Sequence, residues 1–272
     1  MPQTTIRLAT LLSPALYETY AYLARYLGER LNLSTSLHAT SELTEFACGK
    51  AEIGFLCGLL YVHLRQDASC PVELLAAPVL LGERYHDTPL YFSDVIVRHT
   101  SSYTSFDDLR GCVWAYNERA SHSGYNLVQY SLLQRGLPLD YFRQTVATGS
   151  HLHSLRAVLA GEADAAALDS HLLDVLFQQQ PELSDQLRVV ARLGPSPIPP
   201  VVIARSLDPA LKQRLRETLL SMQRDPQAAR ELNKGQIKRF AAVSDEDYDP
   251  LQAMFAQVTA RQLSEASAQF SR

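Results

Sequence analysis

Gly149-Ser-His-Leu-His-Ser-Leu-Arg-Ala-Val-Leu-Ala-Gly-Glu-Ala-Asp-Ala-Ala-Ala-Leu-Asp-Ser170 holds a helix, a turn and a strand, and stops where another helix begins. The helix is expected from about His151 to Ala160, with Ser150 placed to cap it. Gly161 opens the turn. The apolar run Ala163–Leu168 reads as a strand, and Asp169 precedes a helix from Ser170 to Gln179. Strand and helix in strict alternation mark an α/β domain with a mostly parallel sheet.

The same alternation extends in both directions. Ile6–Leu12 reads as a strand, Ser13-Pro14 as an N-cap with proline at the first helical position, and Leu16, Tyr20, Leu23, Leu27 and Leu31 as one helix face. A strand at 33–39, a short helix from Ser41, and the buried-strand run Ala51-Glu-Ile-Gly-Phe-Leu-Cys57 follow. Strands are expected at 72–81, 90–97, 112–116, 187–193 and 201–204, with a helix at about 124–135. Two amphipathic helices, about 208–223 and 245–260, finish the ordered part, and 265–272 is expected to fray. The long strand 90–98 and the proline-rich passage 195–203 are candidate crossings between two lobes. Lobe 1 is then 1–94 plus 200–272, and lobe 2 is the inserted 95–199.

At 272 residues the chain has roughly the length of two domains, and it needs no disulfide or metal to complete its core. Hydrophobic residues make up 46% and the net charge is only −4, which excludes disorder of the bulk. With 25 Lys and Arg against 29 Asp and Glu, binding nucleic acid through bulk charge is excluded too. No apolar run reaches the roughly 18 residues of a membrane span. The N-terminal stretch lacks a basic region and a small-residue cleavage site, so it does not read as a secretory signal. The expected location is periplasmic or extracellular if a signal precedes this sequence, and cytoplasmic if the chain is complete as given. Cys48, Cys57, Cys70 and Cys112 form no C-x-x-C pair and read as small hydrophobes.

Asn117-Glu-Arg-Ala-Ser-His-Ser-Gly-Tyr125 lies between a buried strand and a helix, at the carboxyl end of a strand, where open α/β sheets place ligands. Ser121 and Ser123, with the N–H groups of a helix start, make a candidate anion site; the alternative is an ordinary cap. His151 and His153 start another helix and are either anion donors or solvated, capping residues. Asp169 is either an N-cap or a site carboxylate. Tyr91 faces either a ligand or the core. Ala120–Gly124 lacks the first glycine of a nucleophile elbow, and there is no G-x-G-x-x-G or G-x-x-x-x-G-K-[ST], so no cofactor is expected. The His-x-His pair lacks the companions of a zinc site.

Taken together, residues 4–258 resemble the phosphonate, phosphate and phosphite substrate-binding proteins of ABC transporters. Ala51–Gly58, Tyr91–Val97, Ser121-His-Ser-Gly124 and the block from Ser150 to Ser170 carry the resemblance, in the family's order. It implies a two-lobed, Venus-flytrap periplasmic-binding fold whose lobes are mixed, mostly parallel sheets flanked by helices and joined by two crossing strands. It also implies that Ser121 and Ser123 bond the oxyanion, that His151 is the second-lobe histidine that contacts the same group, that Tyr91 is the aromatic from the crossing strand, and that Asp169 falls on the pattern. The sequence departs from the family at three places. His122 stands where threonine is usual, Thr40 or Ser41 must serve in place of a tyrosine, and Ile198-Pro-Pro200 holds no carboxylate for an aminophosphonate's amine.

The expected function is therefore a solute-binding protein that clamps a small oxyanion between its lobes. It would be a monomer serving an ABC permease, with no catalysis, nucleic acid or membrane insertion. The alternatives are an enzyme on the same clamp, and a sensor or orphan domain with another ligand.

Overall fold

The computed structural model describes residues 5–270. From the N-terminus run β1 (Thr5–Thr10), α1 (Tyr17–Leu31), β2 (Ser34–Ala39), α2 (Thr44–Ala47), β3 (Ile53–Phe55), α3 (Gly58–Arg65) and β4 (Val72–Leu80). Next come β5 (Leu90–Arg98), β6 (Val113–Tyr116), α4 (Leu127–Gln134), β7 (Gln144–Ala147), α5 (His151–Ala160), β8 (Ala165–Asp169), α6 (Ser170–Gln179), α7 (Leu183–Gln186) and β9 (Leu187–Pro197). The chain ends with β10 (Val201–Ala204), α8 (Pro209–Ser221), α9 (Pro226–Lys234), β11 (Ile237–Ala241) and α10 (Asp249–Phe270).

These elements form two compact units. The first comprises the chain through Leu90 with Pro197–Tyr248, and the second Tyr91–Ser196 with the chain from Asp249. The first unit has a six-stranded sheet in the order β11-β4-β10-β3-β1-β2. β1 runs parallel to β2 and β3, with Leu8 opposite both Leu37 and Ile53, while β10 and β11 run antiparallel to their neighbours. Helix α1 forms because its apolar residues recur every three or four positions; Tyr20, Leu23 and Leu27 are buried, and Tyr20 stacks on Phe55 at 4.0 Å. Asn32 stops it in the left-handed conformation (φ 54°).

The second unit has a five-stranded sheet in the order β7-β6-β8-β5-β9. β6 is parallel to β7 and β8, and β5 is antiparallel to β8, placing Ser93 opposite Asp169. The alanines of β8 are buried on both faces, as the uninterrupted apolar run requires. Trp114 stacks on Phe142 at 4.4 Å within a core that includes Phe106, Leu132 and Tyr141.

The boundaries drawn from the sequence need one correction. Residues 249–270 were expected in the first lobe, yet α10 groups with the second unit: Met254 packs on the core around Trp114, and Arg261 donates to the Leu137 carbonyl at 2.8 Å. No local pattern in an amphipathic helix says which core it covers. The sequence reading also omits α3, α7, α9 and β11, and it starts the helix at 44–47 three residues early. Of the stretch expected to fray, the backbone is helical through Phe270, and residues 271–272 lie outside the described ones, as do the first four of the N-terminal stretch.

Candidate functional site

Strand β6 ends at Tyr116, and the turn after it enters α4 through a single π-helical turn, His122–Asn126. Ser121 is its N-cap, accepting the Gly124 N–H on Oγ at 3.1 Å. Ser121, His122, Ser123 and Gly124 are all buried. Beside this turn, β7 leads to α5, which starts at His151 and is capped by Ser150 Oγ, acceptor of the His153 N–H at 3.1 Å.

The two helix starts converge. Ser123 Oγ lies 3.2 Å from His151 Nε2. Asn117 bridges the two connections: its carbonyl accepts the Gly149 N–H at 2.9 Å, and its side-chain oxygen is buried without a hydrogen-bond partner. Gly124 is needed here, because a Cβ on it would lie 1.9 Å from Asn117 Oδ1 and 3.2 Å from His151 Cε1. Ser93 Oγ, on β5, donates to the Ser123 carbonyl at 2.6 Å and holds the turn from below.

Burial pushes the His151 pKa down to about 4, partly offset by the Ala167 carbonyl, and its Nδ1 is inaccessible, with no hydrogen bond of normal geometry. The imidazole is therefore neutral at pH 7. The pair offers hydroxyl and imidazole hydrogens rather than a fixed charge, backed by the positive ends of two helices. Such an arrangement can bind an oxyanion; it has no nucleophile–base–carboxylate sequence of the kind hydrolysis uses.

His122 does not point into this corner. Its ring is fully buried, with Nε2 2.7 Å from Ser196 Oγ and Nδ1 3.1 Å from Asn126 Nδ2, so both nitrogens are taken by the protein. The resemblance places His122 beside the oxyanion donors, and the partners it has in the structure are internal. Tyr91 is buried too, its ring centroid 6.4 Å from that of His122. Asp169 caps α6: Oδ1 accepts from the N–H groups of His171 at 2.8 Å and Leu172 at 3.2 Å. Burial raises its pKa to about 7 against those two bonds, with Asp94 and Asp174 adding to the rise.

Thr40 and Ser41 belong to the first unit. Thr40 Oγ1 donates to Glu45 at 2.9 Å and accepts the Glu42 N–H at 3.0 Å, so its hydroxyl stabilises the entry to α2. His153 is exposed, with Nδ1 3.1 Å from the Thr148 carbonyl. Sequence reasoning did not nominate Asn117, Ser93, Asn126 or Ser196. Ser93 carried a signal, since it is two residues from Tyr91 and so shares its strand face. Ser196 carried none, being 74 positions from His122.

The two sheets with their flanking helices define a two-lobed periplasmic-binding fold, shared with solved binding proteins. A phosphonate ABC-transporter binding component from Pseudomonas aeruginosa matches with a TM-score of 0.79 at 16% identity, covering 99% of this chain and 100% of that one. PhnD1 from Prochlorococcus marinus, solved with methylphosphonate, matches at 0.81 and 15%, covering 94% and 98%. A Xanthomonas citri protein solved with ATP matches at 0.69 and 21%, covering 94% and 98%. The family model for the periplasmic substrate-binding protein of phosphonate ABC transporters matches residues 8–248, and the chain belongs to that family. The family consists of transporter binding proteins rather than enzymes. No helix among the described residues is long and apolar enough to cross a membrane.

Proposed function

We propose that the chain binds a small phosphonate-type oxyanion and releases it unchanged, with Ser121, Ser123 and His151 as donors. The observation that carries this reading is the Ser123–His151 pair, 3.2 Å apart where two helices start, beside a glycine that keeps the corner open. An arriving oxyanion exchanges that internal bond for one donor from each residue, and both are desolvated already, which strengthens the new bonds. His122, Tyr91 and Asp169 act one layer out, as support for the turn and as a cap. Delivery to an ABC permease from outside the cytoplasmic membrane, as a monomer, completes the reading; membership of the family supports it.

Calorimetric titration of ligand-stripped protein with methylphosphonate, phosphite, phosphate, aminoethylphosphonate, sulfate and ATP tests it. Saturable one-to-one binding of a phosphonate or phosphite, with the ligand recovered intact, is the expected result. Heat from none of them, or conversion of the bound compound, overturns the proposal.

A further inference from the structure

His122 is the one imidazole in the candidate turn that is fully enclosed, and its partners fix its chemistry. Asn126 Nδ2 can only donate, so Nδ1 at 3.1 Å is the acceptor. The ring proton then sits on Nε2 and is donated to Ser196 Oγ at 2.7 Å. Burial, which pushes the His122 pKa down to about 3, keeps the ring in that single neutral form. Asn126 closes the π-helical turn and Ser121 opens it, the Asn126 N–H bonding the Ser121 carbonyl at 3.0 Å. Ser196 is the last residue of the second unit before the chain leaves it at Pro197, and it is 2% exposed.

We propose that His122 is a positioning residue: its imidazole, oriented by Asn126, ties the turn carrying Ser121 and Ser123 to Ser196 at the exit of the second unit, so that the ordering of the turn and the setting of that exit strand depend on each other. The inference deepens the function proposed above and rests on it for the consequence for affinity. A hydroxyl at position 122 is too short to span both partners, whereas imidazole presents an acceptor and a donor on opposite sides of one rigid ring. Removing Ser196 Oγ leaves a buried N–H without an acceptor, and that loss is borne by the turn rather than by the ligand.

The test uses wild type, Ser196→Ala, His122→Gln and the double variant His122→Leu/Ser196→Ala. Amide hydrogen exchange over 121–127 is followed without ligand, and methylphosphonate is titrated into each protein. Ser196→Ala touches none of the proposed donors, yet it should speed exchange in the turn and weaken methylphosphonate about 10-fold, the equivalent of one buried hydrogen bond. His122→Gln, which keeps an amide donor for Ser196, should recover most of both. The double variant should lose no more than about a further factor of two, because a coupled pair is lost once. Turn exchange unchanged in Ser196→Ala overturns the proposal, and so does faster exchange with unchanged affinity. If the wild type binds no oxyanion, the functional reading fails, and the exchange rates alone then decide whether the tie exists.

Discussion

A methyl group on Gly124 would put its carbon 1.9 Å from Asn117 Oδ1, well inside contact distance, so Gly124→Ala must displace either the asparagine or His151. We expect a loss of about 1–3 kcal/mol in urea unfolding, accompanied by loss of oxyanion affinity in the same protein. Ser123→Ala removes a donor without this clash, and should weaken methylphosphonate by about 1–3 kcal/mol in calorimetry with stability nearly unchanged. An unaltered dissociation constant would remove Ser123 from the site. At this scale the sequence showed what lies along the chain. Ser121, Ser123 and Gly124 were legible as a strand-to-helix turn, and His151 as a helix start. It did not show that His122 turns inward or that Asn117 joins the two connections, because both depend on residues brought close only by folding.

Among the elements, α6 owes its start to Asp169, whose oxygen accepts two N–H groups. Asp169→Asn retains that acceptor and should leave oxyanion affinity within about twofold, whereas Asp169→Ala should cost about 1 kcal/mol of stability. A large affinity loss in the asparagine variant would return Asp169 to the ligand. Strands β3 and β8 were readable because burial of both faces leaves a nearly continuous apolar run. Helix α3 was hidden for the same reason. Gly58, Leu59, Tyr61 and Val62 are all buried, so its sequence continues the apolar run of β3 without a change of pattern. Helix α9 buries only Ala228 and Leu232, and β11 sets Lys238 and Arg239 between Ile237 and Phe240, so neither presents an apolar run or a clean alternation. Asp225-Pro226, a cap followed by proline, was the available signal for α9.

For the molecule as a whole, a ligand that binds only the folded protein adds RT ln(1 + [L]/Kd), about 2.7 kcal/mol at a hundredfold excess over Kd. A thermal scan with methylphosphonate should show the shift, and Ser123→Ala should need more ligand to reach it. Acidity acts through the buried groups. His122 and His151 have pKa values near 3 and 4 when folded, below the ordinary 6.5. The unfolded chain therefore binds more protons as pH falls through 6.5, so their stabilisation is complete above that value and is lost on acidification towards 4. Asp169, raised to about 7, works in the opposite sense: its contribution is present below the ordinary 3.8 and lost as pH rises to 7. Near pH 5 two protons taken up by the histidines outweigh one released by the aspartate. From these three groups stability should rise with pH, by at most about 1.4 kcal/mol per unit. Urea midpoints at pH 5 and pH 6 check the sign.

The chain passes between the units after Leu90, after Ser196 and again after Tyr248, and α10 completes the second unit although it follows every element of the first. Neither unit is a continuous stretch of sequence. During translation β1 to β4 therefore wait for β10 and β11 to fill their sheet, and the sheet around β6 waits for the final helix to cover it. The first unit cannot finish until the inserted stretch of the second has been made, and the second cannot finish until the first is complete in sequence, so a ribosome stalled before β10 holds two incomplete cores rather than one finished domain and one tail. Nascent chains arrested at residue 196 should accordingly be cut by protease within both units, while a chain that includes α10 is protected in both.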